Sequence, residues 1–405
     1  MHPHLSKLFH LNIYAFILTL HIAFIVYSGS TFLAGIFGSE YIWIIYSLGA
    51  FFTISLNFSI SSLLKTFHIE KINTVVLIMA GLNLVSLSFT NIPFQIFISY
   101  ILYLALAEYL VTMSSLMIED LSKNSVTGSI RGHFIMMQSL AYIVSPFFTA
   151  LVINYFGLSN IFLVGGIFVF LSLVYFKVNV KSVPSVTVSD SKFWATIPKL
   201  WKNYDVRTSI FVFIAMNVFY VCTTVFIPFK MESVGIPFTT YLSVLLPIAL
   251  LPFLFMPTIL GHIEDITKNE KVFILGSTTG LIFILAVFAL VETNLVWVWA
   301  IILFISRVFA STLETSVNSY FFKKISGSDT AVISIFQSAS PIAYLVFSPF
   351  LSLVLIYGNL ESVFLTVSFF LCFMLILVSK IHNTDNYEKH KTWSEIWRRT
   401  KRRTS

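Results

Sequence analysis

The stretch FQIFISYILYLALAEYLVTMSSLMI, residues 94–118, decides the fold class of this chain. It is longer than the roughly 20 residues that an α-helix needs to cross the ~30 Å hydrocarbon core of a membrane. Its one carboxylate is Glu108, and it holds no basic residue. A stretch of this length and composition predicts a transmembrane helix.

The composition of the whole chain also indicates a membrane protein. Of its 405 residues, 57% are hydrophobic, 11% are charged and 43 are phenylalanine, whereas soluble domains carry about 25% charged residues. Cys222 and Cys372 lie far apart within apolar runs, which excludes a disulfide scaffold, a CxxC redox pair and a thiolate metal site. The net charge of +7 comes from basic residues scattered between apolar runs and at the C-terminus, so we expect no nucleic-acid partner.

Twelve apolar runs of membrane-spanning length follow one another along the chain. Lys7 precedes the first run as in a signal peptide, but the apolar character continues to Phe37, so we assign this run as span 1. In order, spans 1 to 12 are predicted at Leu11–Leu33, Tyr41–Leu64, Ile72–Phe89, Phe94–Ile118, Phe134–Tyr155, Asn160–Phe176, Thr208–Phe229, Phe238–Leu260, Val272–Val291, Leu295–Phe322, Ala331–Tyr357 and Val363–Ile381.

The basic residues predict the orientation of the spans. If both termini are cytoplasmic, every Lys and Arg except Lys230 and Arg307 falls in a cytoplasmic segment or, for Lys380, at the cytoplasmic end of span 12. Positive charge in short loops marks the cytoplasmic side, so we expect a multi-pass plasma-membrane protein with cytoplasmic N- and C-termini. Segments rich in Trp with Lys or Arg, at 192–203 and 393–403, predict contact with membrane lipids.

A long polar connection divides the spans into two sets of six. At an offset of 199 residues Gln138 falls on Gln337, and Ser-Pro-Phe triplets follow both. These matches indicate a duplicated unit, which is a known architecture of secondary transporters. We expect an all-α membrane protein with two pseudo-symmetric six-helix bundles. Its units are an N-terminal bundle at 1–178, a cytoplasmic linker with an interfacial helix at 179–206, a C-terminal bundle at 207–382 and a basic cytoplasmic tail at 383–405.

Two loop motifs add a family resemblance. Gly261-His262-Ile263-Glu264-Asp265, followed by Lys268 and Lys271, is similar to the loop between the second and third helices of each half in the major facilitator superfamily. Arg131-Gly132 before span 5 is a second such feature, and the twelve spans together resemble this family. The resemblance implies that Gly261, Asp265 and Arg131 take part in gating, with Asp265 near the start of span 5. The first half has lost the motif, because Ser62 and Thr66 stand at its positions.

Three ionisable residues within the spans predict where the functional site lies. They are Glu108 in span 4 and Arg307 and Glu314 in span 10. A charge in the bilayer is costly, so such residues face a cavity or one another. Glu108 and Arg307 are equivalent at the same offset of 199 residues. Either Glu108 binds a proton or a cationic substrate, with its charge balanced by Arg307, or the two form a structural ion pair.

Further polar side chains complete the expected cavity. Thr112 and Ser311 follow Glu108 and Arg307 at helical spacing, so two polar stripes form on spans 4 and 10. His21 in span 1 and Asn217 in span 7 are candidate cavity residues, although a lone His is more often a packing residue. Further candidate cavity residues are Gln138, Gln337, Tyr27 and Tyr220.

These patterns predict a secondary transporter that works by alternating access. We expect a monomer whose transport is coupled to protons, most simply through Glu108. The family resemblance implies that the solute is a small organic or amphipathic molecule and that it is exported. The alternatives are a lipid translocase, a transport-fold sensor or, less favoured, a membrane-embedded lipid-modifying enzyme using Glu119, Asp120 and His133. The chain has no HExxH, nucleophile elbow or GxxxxGK[ST] loop, so we expect neither an enzyme nor a cofactor or metal site.

Overall fold

Twelve transmembrane helices form the fold, as predicted. The computed structural model describes residues 3–39, 41–121, 127–180, 198, 201–325 and 330–382. Within these residues, 12 helices are long and apolar enough to cross a membrane, and no strand occurs. The helices of spans 1 to 12 are Pro3–Val26 with Gly29–Phe37, Ile42–Thr66, Ile69–Phe89, Pro93–Leu121, Thr127–Phe156, Asn160–Asn179, Tyr204–Ser233, Phe238–Thr240 continued by Tyr241–Leu245, Leu246–Leu250 and Pro252–Thr267, Glu270–Leu290, Val296–Lys324, Thr330–Gln337 with Ala339–Tyr357, and Leu360–Val378.

Span 8 is the most interrupted helix, and its prolines explain why. Tyr241–Leu245 is a π-helical turn directly before Pro247, and the α-helix restarts at Pro252. Neither proline has a backbone N–H to donate, so the preceding turn loses a hydrogen bond at each. The Leu251 N–H bonds the carbonyl of Ile248 at 3.3 Å in a tighter turn. The interruptions of span 8 therefore occur next to Pro247 and Pro252.

The two halves repeat the same packing. In the first half span 1 packs on spans 5 and 6, span 2 on span 4, and span 3 on span 6. The second half has the equivalent pairs, with span 7 on spans 11 and 12, span 8 on span 10, and span 9 on span 12. Between the halves, span 2 packs on span 11 and span 5 packs on span 8. These two contacts are equivalent under the pseudo-symmetry, so the interface is itself symmetric.

Close packing within each half depends on small residues. Gly81 in span 3 lies against Phe170 of span 6, where an added Cβ would stand 2.8 Å from the ring. Gly280 in span 9 lies so close to Phe309 of span 10 that an added Cβ would overlap its ring. Lipid is as apolar as these side chains, so close van der Waals contact supplies much of the association between membrane helices.

Ion pairs join the ends of the second-half helices. Lys230 at the end of span 7 binds Glu361 at the start of span 12, with Nζ and Oε1 3.1 Å apart. At the opposite end, Lys324 binds Asp205 at 3.0 Å and Lys323 binds the buried carboxylate of Glu270 at 2.9 Å. These contacts explain why span 10 remains helical beyond its apolar run, since both lysines lie in its last turn.

Candidate functional site

A cavity of about 280 Å³ lies between the two halves. Spans 1, 4 and 5 of the first half line it together with spans 7, 8, 10 and 11 of the second half. Five of the polar residues selected from the sequence line this central cavity, together with the rings of Tyr27 and Tyr220. The five are Glu108, Gln138, Asn217, Arg307 and Glu314.

Arg307 is held by a hydroxyl and by aromatic faces. Its side chain is buried, and Nη2 donates a hydrogen bond to Oγ1 of Thr223 at 3.1 Å. The guanidinium lies 5.5 Å from the ring centroid of Phe219 and 5.7 Å from that of Tyr220, distances at which cation and ring attract. Its Nε–H has no hydrogen-bond partner within the described part of the chain. Arg307 therefore has one buried donor that no described group satisfies.

Glu314 is bound by the same tyrosine. The hydroxyl of Tyr220 donates a hydrogen bond to Oε2 of Glu314 at 2.7 Å, the short distance typical of a charge-assisted bond. Arg307 and Glu314 are seven positions apart on span 10 and form no ion pair within 4.0 Å among the described residues. Tyr220 thus contacts both charges and fixes their separation.

The Glu108 carboxylate is the least constrained charge in the cavity. Its side chain is half-buried and makes no hydrogen bond or ion pair with another described residue. In particular, Arg307 does not pair with it within 4.0 Å in this conformation of the described chain. The hydroxyl of Thr112 reaches the neighbouring backbone instead and donates to the carbonyl of Glu108 at 3.0 Å. Glu108 can therefore accept a proton or a cationic group without first losing a partner.

The other residues selected from the sequence differ in their relation to the cavity. Asn217 lines it, and its Nδ2 donates to the carbonyl of Phe213 at 2.8 Å. Four residues do not line the central cavity: Thr112, Ser311, His21 and Gln337. Ser311 and His21 are fully buried in the helix packing. The His21 ring bonds the carbonyl of Leu18 through Nδ1 and packs edge-on against Tyr103, while its Nε2 has no described partner.

The predicted gating residues lie on the helices of spans 5 and 8. Gly261 and Asp265 are in the helix Pro252–Thr267, and Arg131 is in the helix Thr127–Phe156. The side chains of Asp265 and Arg131 lie outside the described residues. Among the described residues, none has an atom within 4 Å of a Cβ added at Gly261.

The structure adds site residues that the sequence did not single out. Ser340 and Tyr344 of span 11 line the cavity, as does Tyr142 of span 5. Tyr344 stands four residues after Ser340, and Tyr142 four residues after Gln138, so helical spacing was the available signal. Thr223 could not be selected from the sequence, because its hydrogen bond with Arg307 depends on which helix faces that arginine. Among the described residues, no group of three or more His, Cys, Asp or Glu side chains could hold a metal ion.

Comparison with known proteins identifies the family. The sequence model of the Major Facilitator Superfamily matches residues 11–332, most of the chain. The chain belongs to the Major Facilitator Superfamily. Its members are transporters rather than enzymes, in agreement with a membrane-embedded cavity that joins two repeated halves. No curated protein matches the chain.

Solved structures of this superfamily have the same fold. The nucleoside transporter NupG is 12% identical with a TM-score of 0.71, covering 93% of this chain and 100% of that one. The human organic anion transporter MFSD10 (TETRAN) is 10% identical with a TM-score of 0.71, covering 93% and 100%. A POT family transporter in complex with a thioalcohol-conjugated peptide is 12% identical with a TM-score of 0.69, covering 93% and 94%. At these identities the likeness concerns the fold alone.

Proposed function

We propose that this chain is a proton-coupled secondary transporter that exports a small organic or amphipathic solute. The observation that carries the proposal is the Glu108 carboxylate, which lines the cavity between the halves and has no partner among the described residues. A carboxylate in such surroundings binds a proton or a cation more readily than one already neutralised by an ion pair.

Competition at Glu108 would couple the two fluxes. A proton and the solute cannot both neutralise the same carboxylate, so one leaves as the other binds, and the outcome is exchange. The proton gradient across a plasma membrane is directed inward, so exchange moves the solute outward. Arg307 and Glu314, held by Thr223 and Tyr220, would position the polar part of the solute on the opposite wall of the cavity.

The packing between the halves supports alternating access. Span 2 against span 11 and span 5 against span 8 are the helix pairs that join the halves around the cavity. These pairs are equivalent under the pseudo-symmetry. When the halves separate at one end and close at the other, the contacts that are lost resemble the contacts that form. The interruption of span 8 at Pro247 and Pro252 would place a deformable segment at this interface. We assign the gating of this motion to Gly261, Asp265 and Arg131.

The location and organisation of the chain complete the proposal. We place it in the plasma membrane as a monomer with both termini in the cytoplasm, because that orientation puts nearly all positive charge in cytoplasmic segments. The two functional units are 1–178 and 207–382, joined through 179–206 and followed by the tail 383–405.

Uptake into proteoliposomes tests the proposed function. Purified full-length protein is reconstituted into vesicles that are acidic inside, and labelled organic cations, nucleosides, organic anions and short peptides are supplied outside. At least one class should accumulate against its gradient, and a protonophore should abolish this accumulation. Protein-free vesicles are the control. Uptake that is insensitive to the pH gradient for every class would contradict proton coupling.

A further inference from the structure

A second cavity of about 80 Å³ lies next to the central one. Glu108, Val26, Ser340 and Tyr344 line both cavities, so the two spaces adjoin at these four residues. The second cavity is smaller, and its walls come from spans 1, 2, 4 and 11. It therefore forms a side pocket of the central cavity on the side of the first half.

Four tyrosine rings form much of the wall of this side pocket: Tyr46, Tyr100, Tyr103 and Tyr344. Tyr46 stacks on Tyr344 with centroids 5.5 Å apart and an interplanar angle of 24°. Tyr100 stands nearly perpendicular to Tyr46 at 6.2 Å, and Tyr103 lies edge-on to Tyr100 at 5.8 Å. The four rings therefore pack on one another, stacked and edge-on, around one small space.

The ring positions are fixed by packing. Tyr46, Tyr100 and Tyr103 are buried. The hydroxyl of Tyr100 lies against Gly29, where an added Cβ would overlap it. A preformed arrangement of rings binds a ligand without first losing side-chain entropy.

The charge of the side pocket has one sign. Among the described residues of its lining, Glu108 is the only charged one, and none is Lys or Arg. On the other side of the central cavity, the positive charge of Arg307 balances the negative charge of Glu314. The Glu108 carboxylate therefore places one negative charge beside the tyrosines, and no described side chain forms an ion pair with it.

The volume limits what can enter. The side pocket holds about 80 Å³, against about 150 Å³ for an engineered protein cavity that holds benzene, so it admits one small end group of a solute rather than a whole organic molecule. Aromatic cages bind quaternary and methylated ammonium groups through the negative faces of their rings. A neutral alkyl group would fit the space but would leave the Glu108 charge without a partner.

We propose that the side pocket formed by Tyr46, Tyr100, Tyr103 and Tyr344 binds the alkylated ammonium group of the transported solute, with Glu108 as its counter-ion. This inference rests on the proposed function and specifies its solute as an organic cation. The remainder of the solute lies in the central cavity and faces Arg307 and Glu314.

Binding of choline to the purified full-length protein tests the side pocket. Choline should stabilise the protein against thermal unfolding, and its neutral carbon isostere, in which carbon replaces the quaternary nitrogen, should not. Tyr103→Leu should weaken choline binding by about tenfold or more, since it removes a ring face, whereas Tyr103→Phe should stay within about threefold of wild type. Glu108→Gln should also weaken binding by about tenfold or more.

Tyr109→Leu is the matched control for loss of a buried ring. Tyr109 is a buried tyrosine of span 4 that lines neither cavity, so its loss should leave choline affinity unchanged. Equal stabilisation by choline and its isostere, absence of choline binding, or equal affinity for Tyr103→Leu and Tyr103→Phe would overturn the side pocket. Each of these results is compatible with pH-driven uptake of another solute class, which would keep the proposed function. Ring-dependent choline binding without pH-driven uptake of any solute would instead support the pocket and refute proton coupling.

Discussion

The ion pair between Lys230 and Glu361 gives a sharp prediction about stability. Lys230 is 1% exposed, whereas the Glu361 side chain is 34% exposed, although they share one contact of 3.1 Å. The two single substitutions should therefore differ in cost. Glu361→Gln leaves a buried ammonium without a counter-charge, while Lys230→Met leaves a carboxylate that water can reach and fills the buried space with an apolar stem.

The magnitudes follow from the exposure of the charge that remains. Leaving a buried charge unpaired costs about 3–5 kcal/mol, whereas an exposed pair contributes about 0–1 kcal/mol. The amide that replaces the carboxylate can still accept a hydrogen bond, so we expect about 3 kcal/mol for Glu361→Gln and about 1 kcal/mol for Lys230→Met. For a bundle of this size, 1 kcal/mol corresponds to roughly 2–4 °C in the unfolding temperature, so the expected shifts are about 6–12 °C and about 2–4 °C. Lys230→Met with Glu361→Gln should resemble Lys230→Met alone, because no unpaired charge remains.

A thiol-reactive dye measures these shifts. Cys222 is fully buried and becomes reactive only on unfolding, whereas Cys372 is exposed, so the assay uses a Cys372→Ala background. All variants are heated at one rate, because irreversible unfolding makes the apparent temperature depend on the rate. Glu292→Gln, which changes an exposed acid near the same end of the molecule, is the control and should shift little. A shift for Glu361→Gln no larger than that for Lys230→Met or the control would refute the reasoning.

Two further substitutions test the packing and the site. Gly280→Ala should destabilise the protein and Gly276→Ala should not, because an added Cβ overlaps the Phe309 ring at the first position and meets no described atom within 4 Å at the second. The same dye assay compares the two variants, and equal unfolding temperatures would contradict the close packing. Tyr220→Phe removes the donor to Glu314 and should cost about 1–3 kcal/mol of stability, with reduced solute affinity in a binding titration; wild-type values for both quantities would show that this bond does not organise the site.

The fold could be predicted because it depends on properties of each segment by itself, independent of its neighbours. The apolar length of each run and its scarcity of charge place it in the bilayer without knowledge of its neighbours. The helices differ from the predicted runs mainly at their ends. Span 10, for example, continues to Lys324 because Asp205 and Glu270 bind its last two residues, and these partners lie on other helices.

The candidate site could be predicted in part for the same reason. Helical spacing indicated that Glu108, Arg307 and Glu314 lie on inward faces, and all three line the central cavity. Their partners could not be predicted, because the bond from Tyr220 to Glu314 depends on which helices are neighbours. His21 is a residue whose position could be predicted only roughly. Periodicity places it inside the bundle, but does not tell whether its side chain lines the cavity or packs between helices. In the structure it packs on Tyr103.

Simultaneous measurement of proton and solute flux tests the central claim that Glu108 couples the two. Vesicles with a pH-sensitive dye inside and labelled solute outside report both quantities for wild type and Glu108→Gln, with Glu292→Gln as the control. Because the amide imitates only the protonated carboxyl, Glu108→Gln should neither accumulate solute nor move protons, yet it should exchange internal for external solute at saturating concentration. Wild-type proton flux and accumulation in Glu108→Gln would contradict the account.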